Sequence, residues 1–301
     1  MPTQQTAYPL APPTVSGNTL TVDTALKQPT RITRRIMDIT LQRFIVDRIF
    51  ATPGGVSGGS VVYDQATTNE LYTDREIERV GPGDEFPIVG SQRTTPKVAL
   101  VEKWGGKFFQ TDESRDRNDI TLFNNNVTQL GNTIVRRVNT RAVETLEAAI
   151  TALGGAGTFV GHNWSSVVTG GSSQTNNSGW PAADFAQAQY LADTDELGVV
   201  YDMWLVNPKQ KMDLLTVYGS SLPEVLAAAG IDELFASNRV ANGTAYALAR
   251  QQVGELRVEK ALGTETWREQ GTQRTWVQSD VRPVMYVTNP YSIKKVTGLN
   301  G

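Results

Sequence analysis

Side chains that commonly perform chemistry are scarce in this chain. It contains no Cys and a single His, His162. These counts exclude disulfide scaffolds, Cys-based zinc sites and thiol nucleophiles, and they leave at most one imidazole for a catalytic triad. No acidic residue lies within 14 positions of His162, so we interpret it as a polar loop residue and not as a catalytic base.

Motifs for phosphate and metal binding are also absent from the sequence. Gly106-Lys107 is followed by Phe108, and Val101 stands where a Walker loop needs its first glycine. The acidic run Asp193 to Glu196 lacks EF-hand spacing. We therefore predict no cofactor and no metal. A carboxylate-dependent hydrolase is kept as a third hypothesis, although no pair of acids is favoured over the others.

The charge distribution is more informative than the total charge. The chain has 28 Lys+Arg and 31 Asp+Glu, a net charge of −3, which is not typical of a general polyanion binder. An acidic arm and a basic arm follow each other between residues 64 and 107. The acids are Asp64, Glu70, Asp74, Glu76, Glu78, Asp84 and Glu85, and the bases are Arg93, Lys97, Lys103 and Lys107.

These two arms predict a protruding β-hairpin within Ser60 to Gln110, with β-type runs that include Phe86 to Val89. A two-stranded hairpin has little core of its own and is marginally stable unless it packs on a partner. Opposite charge on the two arms favours docking between copies of the chain, so the charged residues of both arms are candidate intersubunit contacts. Ordinary mixing of surface charge is the alternative.

Arginines decorate two predicted helices. Isoleucines recur at helical spacing from Arg31 to Phe50, with basic residues between them, which predicts a basic amphipathic helix. Apolar residues from Ile120 to Leu153 advance by 3.67 positions per step, and this predicts a helix from about Ser114, capped by Asp112 or Ser114 and ended by Gly154-Gly155. The candidate DNA-facing residues are Arg31, Arg34, Arg35, Arg115, Arg117, Arg136, Arg137 and Arg141, with solvated or paired arginines as the alternative.

The second half of the chain predicts an α/β arrangement. Ala148 to Ala183 contains no charged residue and is interpreted as a surface loop or hairpin, with Phe159, Val160, Trp164 and Val167-Val168 as its possible strands. Downstream, Asn207-Pro208 is a typical helix start and Ser221-x-x-Glu224 is a capping box. After Thr244 the pattern alternates with period two over four short runs, which predicts four strands.

The N-terminal end differs in composition. Its first 22 residues carry no charged side chain and include four prolines, which predicts an extended arm. It lacks the features of a signal peptide, and no apolar stretch reaches about 18 residues. We expect a cytoplasmic place of synthesis and no membrane partner.

The order of these elements resembles the major capsid protein of tailed bacteriophages, with the Johnson fold named after phage Hong Kong ninety-seven. The segment Arg282 to Val296, with the sequence RPVMYVTNPYSIKKV, is similar to that of capsid proteins from phages of actinobacteria. The resemblance implies an α+β fold without enzymatic activity. It implies self-assembly through pentamers and hexamers into an icosahedral shell that encloses double-stranded DNA, in a virion formed in the host cytoplasm.

The resemblance also implies parts of the chain. These are an arm and basic helix (1–50), an extended β-hairpin loop (51–110), a spine helix of the peripheral domain (111–153), an uncharged insert (154–180), an axial domain (181–251) and late strands that return to the peripheral domain (252–301).

Some partners and reactions stay open. Many copies of the chain and packaged DNA are the expected partners, with scaffold, portal and decoration proteins as further candidates. Some family members form Lys to Asn cross-links, but Lys97, Lys103, Lys107 and Asn289 do not align with the reactive residues, so none is expected. The alternative function is an encapsulin-type compartment with a protein cargo.

Overall fold

The computed structural model describes residues 21–41, 44–67, 73–90 and 95–300. Most of the predicted N-terminal arm lies outside the described residues, as do Glu70 and Arg93. The helices are α1 (Val22–Lys27), α2 (Pro29–Leu41), α3 (Val46–Ile49), α4 (Asp112–Asp116), α5 (Ile120–Leu153), α6 (Pro181–Thr194), α7 (Pro208–Tyr218) and α8 (Leu222–Ala228).

The strands form three sheets. They are β1 (Ala51–Gly55), β2 (Ser60–Tyr63), β3 (Lys97–Leu100), β4 (Trp104–Thr111), β5 (Thr158–Val160), β6 (Met203–Val206), β7 (Glu233–Ala236), β8 (Ala245–Leu248), β9 (Gly254–Glu269), β10 (Arg274–Val287) and β11 (Ile293–Thr297). The strand orders are β1-β9-β10-β4, β5-β11-β8-β6-β7 and β2-β3.

The chain divides into two compact units. The first comprises Met1–Phe44, Val101–Val138 and Val258–Pro283, and the second comprises Ile45–Leu100, Asn139–Arg257 and Val284–Gly301. These segments do not follow the predicted domain boundaries one by one, and the assignment of 181–251 to an axial domain remains a prediction.

The core of the first unit lies between helices and one face of a sheet. Strand β10 pairs antiparallel with β4, from Arg274 opposite Thr111 to Val281 opposite Trp104. Because side chains alternate across a strand, only one face of β4 and β10 meets the helices. The buried set on that face and on α1, α2 and α5 includes Val22, Leu26, Ile32, Ile36, Phe123, Val127 and Val277, with Phe108 and Leu262 packed against it.

The core of the second unit surrounds the five-stranded sheet. The β6–β7 and β11–β5 pairs are parallel, whereas β8 pairs antiparallel with both β6 and β11. All four residues of β6 and all four of β8 are buried, as expected for central strands with both faces covered. Trp164, Phe185 and Trp204 are the large side chains of this core, and their rings lie in mutual contact.

The long helix is confirmed, but it starts later than the periodicity predicts. The chain first forms α4, where Thr111 Oγ1 accepts a hydrogen bond from Ser114 N. Asn118 then adopts a left-handed backbone with φ of 52°, which interrupts a helix. Asp119 Oδ1 accepts from Leu122 N, 3.0 Å away, at the start of α5. The 34 residues of α5 span about 50 Å at 1.5 Å per residue.

Local hydrogen bonding and backbone geometry can be compared with the prediction at three other helix ends. Asn207 caps α7 as predicted, because its Oδ1 accepts from Lys209 N at 2.9 Å. Gly154, with φ of 63°, follows the last residue of α5. The capping box at Ser221 was predicted wrongly, since Ser221 has helical φ and ψ and its side chain makes no capping hydrogen bond.

Three other predictions of helices and strands are corrected by the structure. The helix predicted over Arg31 to Phe50 is observed as α2 and α3. Phe86 to Val89 forms no strand. The four late strands merge into the long β9 and β10, because an alternating pattern does not reveal whether a bend interrupts it.

The uncharged insert lies at the surface for most of its length, as predicted. The possible strand at Phe159 and Val160 is observed as β5, which pairs with β11 at the edge of the five-stranded sheet. Trp164 is only 1% exposed. Among the described helices, none is long and apolar enough to cross a membrane.

Candidate functional site

The loop between β2 and β3 has a fixed base. Strands β2 and β3 pair antiparallel from Ser60 opposite Leu100 to Tyr63 opposite Lys97. Past this pair, Ala66 N donates to Thr288 O at 2.7 Å. The Tyr63 ring packs on the Tyr286 ring with centroids 4.6 Å apart. The base is therefore attached to the end of β10 and the residues that follow it.

Beyond the base, the loop exposes apolar side chains. No strand or helix is found in its described residues 64–67, 73–90 and 95–96. A turn at the tip is closed by Asp84 N donating to Gly81 O at 3.1 Å. Phe86 is 79% exposed, and Ile77 and Ile88 are each 85% exposed. Three large apolar side chains so open to water on one loop indicate a surface that a partner covers.

The charged arms are not arranged as the sequence predicts. All the described acids of the acidic arm are exposed: Asp64, Asp74, Glu76, Glu78, Asp84 and Glu85. Lys97 lies at the start of β3 and donates to Gln65. Lys103 is exposed between β3 and β4, whereas Lys107 is exposed on β4. Only four residue pairs form the hairpin, so the basic arm does not run along the acidic arm.

The candidate DNA-facing arginines occupy several surfaces. Arg31, Arg34 and Arg35 are exposed on α2, opposite the buried Ile32 and Ile36. Their spacing places them on neighbouring positions of one helix face.

The arginines of α4 and α5 differ from this group. Arg115 forms ion pairs with Asp112 and Asp116, and Arg117 is exposed in the break between the helices. Arg136 and Arg137 are exposed on α5, where the Arg137 guanidinium lies 4.5 Å from the centre of the Trp104 ring. Arg141 pairs with Glu144 at 3.7 Å and belongs to the second unit.

The one histidine contacts a buried carboxylate that sequence distance concealed. Asp184 on α6 is fully buried. It accepts hydrogen bonds from His162 N (3.0 Å) and from Trp164 Nε1 (2.6 Å), and His162 Nδ1 lies 2.6 Å from its Oδ1. With both oxygens engaged by the insert, Asp184 acts as an acceptor that holds this segment and not as a base for a substrate.

Among the described residues, Asp184 is not part of a cluster of acids. Within the described residues, no group of three or more His, Cys, Asp or Glu side chains converges as a metal site would require.

The outer face of the sheet in the first unit carries a surface that sequence reasoning missed. We call it the aromatic stripe: Trp267 on β9, Trp276 on β10, Phe109 on β4, and the cations Lys107 and Arg274. Trp267 and Trp276 stack with ring centroids 6.3 Å apart, and Phe109 meets Trp276 edge-on at 5.4 Å. Trp267 and Phe109 are 40% and 45% exposed. The stripe thus presents aromatic surface to solvent.

The cations of the stripe are held over its rings. Lys107 Nζ lies 4.4 Å from the centre of the Trp276 ring, and the Arg274 guanidinium lies 4.7 Å from it. Arg274 Nε and Trp276 Nε1 both donate to Glu269 at 2.8 Å. These hydrogen bonds, with that from Arg274 the largest, lower the pKa of Glu269 to about 2. Glu269 therefore stays ionised and fixes the orientation of Arg274 and Trp276.

A sequence signal for the stripe existed. Phe109, Trp267 and Trp276 occupy the strand positions whose alternating neighbours Phe108, Thr266 and Val277 face the helices. Aromatic residues on the solvent side of an alternating pattern are the feature that could have revealed it.

Comparisons with solved structures show the fold. The chain is similar to a virus-like particle from Pyrococcus furiosus (TM-score 0.62, 14% identity, covering 88% of this chain and 98% of that chain). It is similar to the capsid of cyanophage P-SCSP1u (TM-score 0.59, 16% identity, 86% and 89% covered). A structure from Mycobacterium phage Adephagia gives a TM-score of 0.56 at 14% identity, with 86% and 89% covered.

The sequence comparisons are of two kinds. No curated protein sequence matches the chain. A family profile described as phage capsid protein matches residues 94–296, which is more than half of the 301 residues. The long helix, the mixed α+β architecture and the structural likenesses agree with this profile, so the expected Johnson fold is confirmed and the hydrolase hypothesis is set aside. The chain belongs to the phage capsid protein family, as a structural subunit of the virion shell.

Proposed function

We propose that copies of this chain assemble through pentamers and hexamers into an icosahedral shell that encloses double-stranded DNA. The observation that carries the proposal is the exposure of Ile77, Phe86 and Ile88 on a loop whose base is fixed. Burying one such side chain fully contributes about 1.5–3 kcal/mol. A contact of this size, repeated in every copy of a symmetric shell, favours assembly strongly.

The charged residues have a second role in this proposal. The acids of the loop and the bases Lys97, Lys103 and Lys107 guide and orient the contacts between copies, because complementary charge sets the register of an interface more than its strength. Glu70 and Arg93 belong to the same proposed set from their sequence positions. Scaffold, portal and decoration proteins remain proposed partners without a designated surface.

DNA retention is assigned to the exposed arginines. The three on α2 form one basic helix face, and Arg117, Arg136 and Arg137 add exposed charge on the same unit. Contacts with phosphates of this kind are independent of base sequence and weaken as salt increases. Arg115 and Arg141, which pair with acids, contribute less.

An encapsulin-type compartment with a protein cargo is the second candidate. The likeness to the virus-like particle from Pyrococcus furiosus supports a shell for both candidates, since it concerns the fold alone. The two candidates share the shell and differ in its content.

Purified particles distinguish these candidates. Negative-stain electron microscopy should reveal closed shells, and their 260/280 nm absorbance ratio after nuclease treatment should indicate protected nucleic acid. Shells that contain protein cargo and no nucleic acid would support the compartment. Only monomers or small oligomers, in native material from the producing cell, would contradict both.

Variants on α2 test the arginine assignment. Shells of R31Q/R34Q/R35Q should form normally and lose a large part of their DNA as salt is increased, because three phosphate contacts are removed. The matched control R31K/R34K/R35K keeps the charge and should retain DNA. Equal DNA content in both variants would reject the assignment.

A further inference from the structure

Within the described part of the chain, the aromatic stripe keeps much of its ring surface open to solvent. Its inward neighbours on the same strands are packed against helices, but Trp267 and Phe109 remain 40% and 45% exposed. Tryptophan is among the residue types most enriched at the centres of interfaces. An exposed sheet face with two stacked tryptophans therefore indicates a binding surface for an apolar ligand.

The cations of the stripe favour a ligand that carries negative charge. Lys107 and Arg274 are held against the rings at 4.4 to 5.2 Å, and Glu269 neutralises part of the Arg274 charge through its 2.8 Å hydrogen bond. Lys107 is exposed, so its ammonium group is accessible to an acid of a ligand. The occupant should thus combine apolar side chains with carboxylates.

The loop tip has this combination. Within five residues it offers Asp84, Glu85, Phe86, Pro87 and Ile88, and both the acids and the two large apolar side chains are exposed. The turn closed by the Asp84 N to Gly81 O hydrogen bond presents them together.

We propose that the aromatic stripe of one copy is the docking site for residues 84–88 of a neighbouring copy. This inference rests on the proposed function, since it names the surface that receives the loop. Phe86 and Ile88 pack on Trp267 and Phe109, and the carboxylate of Glu85 or Asp84 pairs with Lys107. Assembly then buries both apolar surfaces at once.

A charge exchange tests the proposal. K107E should reduce the yield of shells about tenfold, because it places an acid opposite the acids of the tip. W267A should reduce the yield by a similar factor through lost apolar contact. The combination K107E/E85K or K107E/D84K should restore shells, since every copy then carries the reversed pair.

Controls separate docking from folding. K27E makes the same charge change on an exposed lysine at the end of α1, in the same unit and outside the proposed contact set, and should assemble like the unaltered chain. Far-UV circular dichroism and thermal unfolding of each unassembled variant should match those of the unaltered chain, because Lys107 and Trp267 are exposed.

The outcomes distinguish this proposal from the proposed function. Normal shells from K107E and W267A, or failure of both E85K and D84K to rescue K107E, would overturn the stripe as the docking site while leaving shell assembly intact. Absence of shells from the unaltered chain would overturn the proposed function itself.

Discussion

The charged loop between β2 and β3 and the uncharged insert between α5 and α6 each carry an aromatic side chain, and the two side chains lie in opposite environments. In the loop, Phe86 is 79% exposed, whereas Trp164 of the insert is 1% exposed. The sequence predicts a protruding β-hairpin for the first region and a surface loop or hairpin for the second, so it does not predict this contrast. The difference in burial between Phe86 and Trp164 arises from the hydrogen bonds that the neighbouring polar groups form.

Trp164 of the insert is buried beside a carboxylate that accepts its hydrogen bond. Buried polar groups are tolerated when they are hydrogen-bonded. Asp184 accepts from His162 N and Trp164 Nε1, and the backbone continues into the sheet through Gly161 N donating to Thr297 O at 2.9 Å. In the described part of the loop, Asp74 and Gly90 are hydrogen-bonded to each other, and the large apolar side chains Ile77, Phe86 and Ile88 stay exposed.

The largest expected effect comes from truncating the buried aromatic residue. W164A should lower the free energy of unfolding of the second unit by about 3–5 kcal/mol, because it leaves a cavity among Phe185 and Trp204. Urea denaturation of the unassembled chain, followed by circular dichroism, measures it.

The matched control lies in the loop of the same unit. F86A should change the unfolding midpoint little, since the ring is already in water, yet it should impair shell formation. A destabilisation by F86A as large as that by W164A would contradict the contrast between the two regions.

A smaller effect is expected from removing the carboxylate that holds the insert. D184A should lower the free energy of unfolding by about 3 kcal/mol, because it leaves the buried Trp164 Nε1 and the His162 backbone N–H without an acceptor. The same urea denaturation measures this cost. D184N retains one acceptor oxygen and should lose less, and equal loss in the two variants would show that the hydrogen bonds do not hold the segment.

The smallest effect is expected from a side-chain hydrogen bond between Asp74 and Gly90 in the described part of the loop. D74A removes the acceptor of Gly90 N, a 2.6 Å hydrogen bond between exposed residues. The free energy of unfolding should change by less than about 0.5 kcal/mol, as for most surface substitutions. Hydrogen exchange of the Gly90 amide should nevertheless accelerate, and an unchanged exchange rate would indicate that the link does not form in solution.

Much of the architecture could be predicted where the signal is local. The helical period from Ile120 to Leu153 and the cap at Asn207 depend on neighbours within one or two turns, so the sequence alone is enough for both. The break at Asn118 could not be predicted in this way, because it is a single left-handed residue inside an otherwise helical pattern.

The candidate site was predicted only in part. The exposure of the acidic loop follows from its charge, and the structure agrees for every described member. The placement of Lys107 does not follow, because β4 pairs with β10, a strand more than 160 residues later, and not with the acidic arm. The aromatic stripe was missed for the same reason, since Phe109 lies on β4, far along the chain from β9 and β10, which carry the two tryptophans.

By itself the sequence determines that this protein has very little catalytic equipment, that its charge is segregated, and that it has a long helix. These are properties of residue type and short-range spacing. Tertiary structure alone decides that His162 meets Asp184, that Trp164 is core, and that Trp267, Trp276 and Phe109 form one exposed surface. The physical reason is that strand pairing joins residues without regard to their separation along the chain, and burial depends on what that pairing brings together.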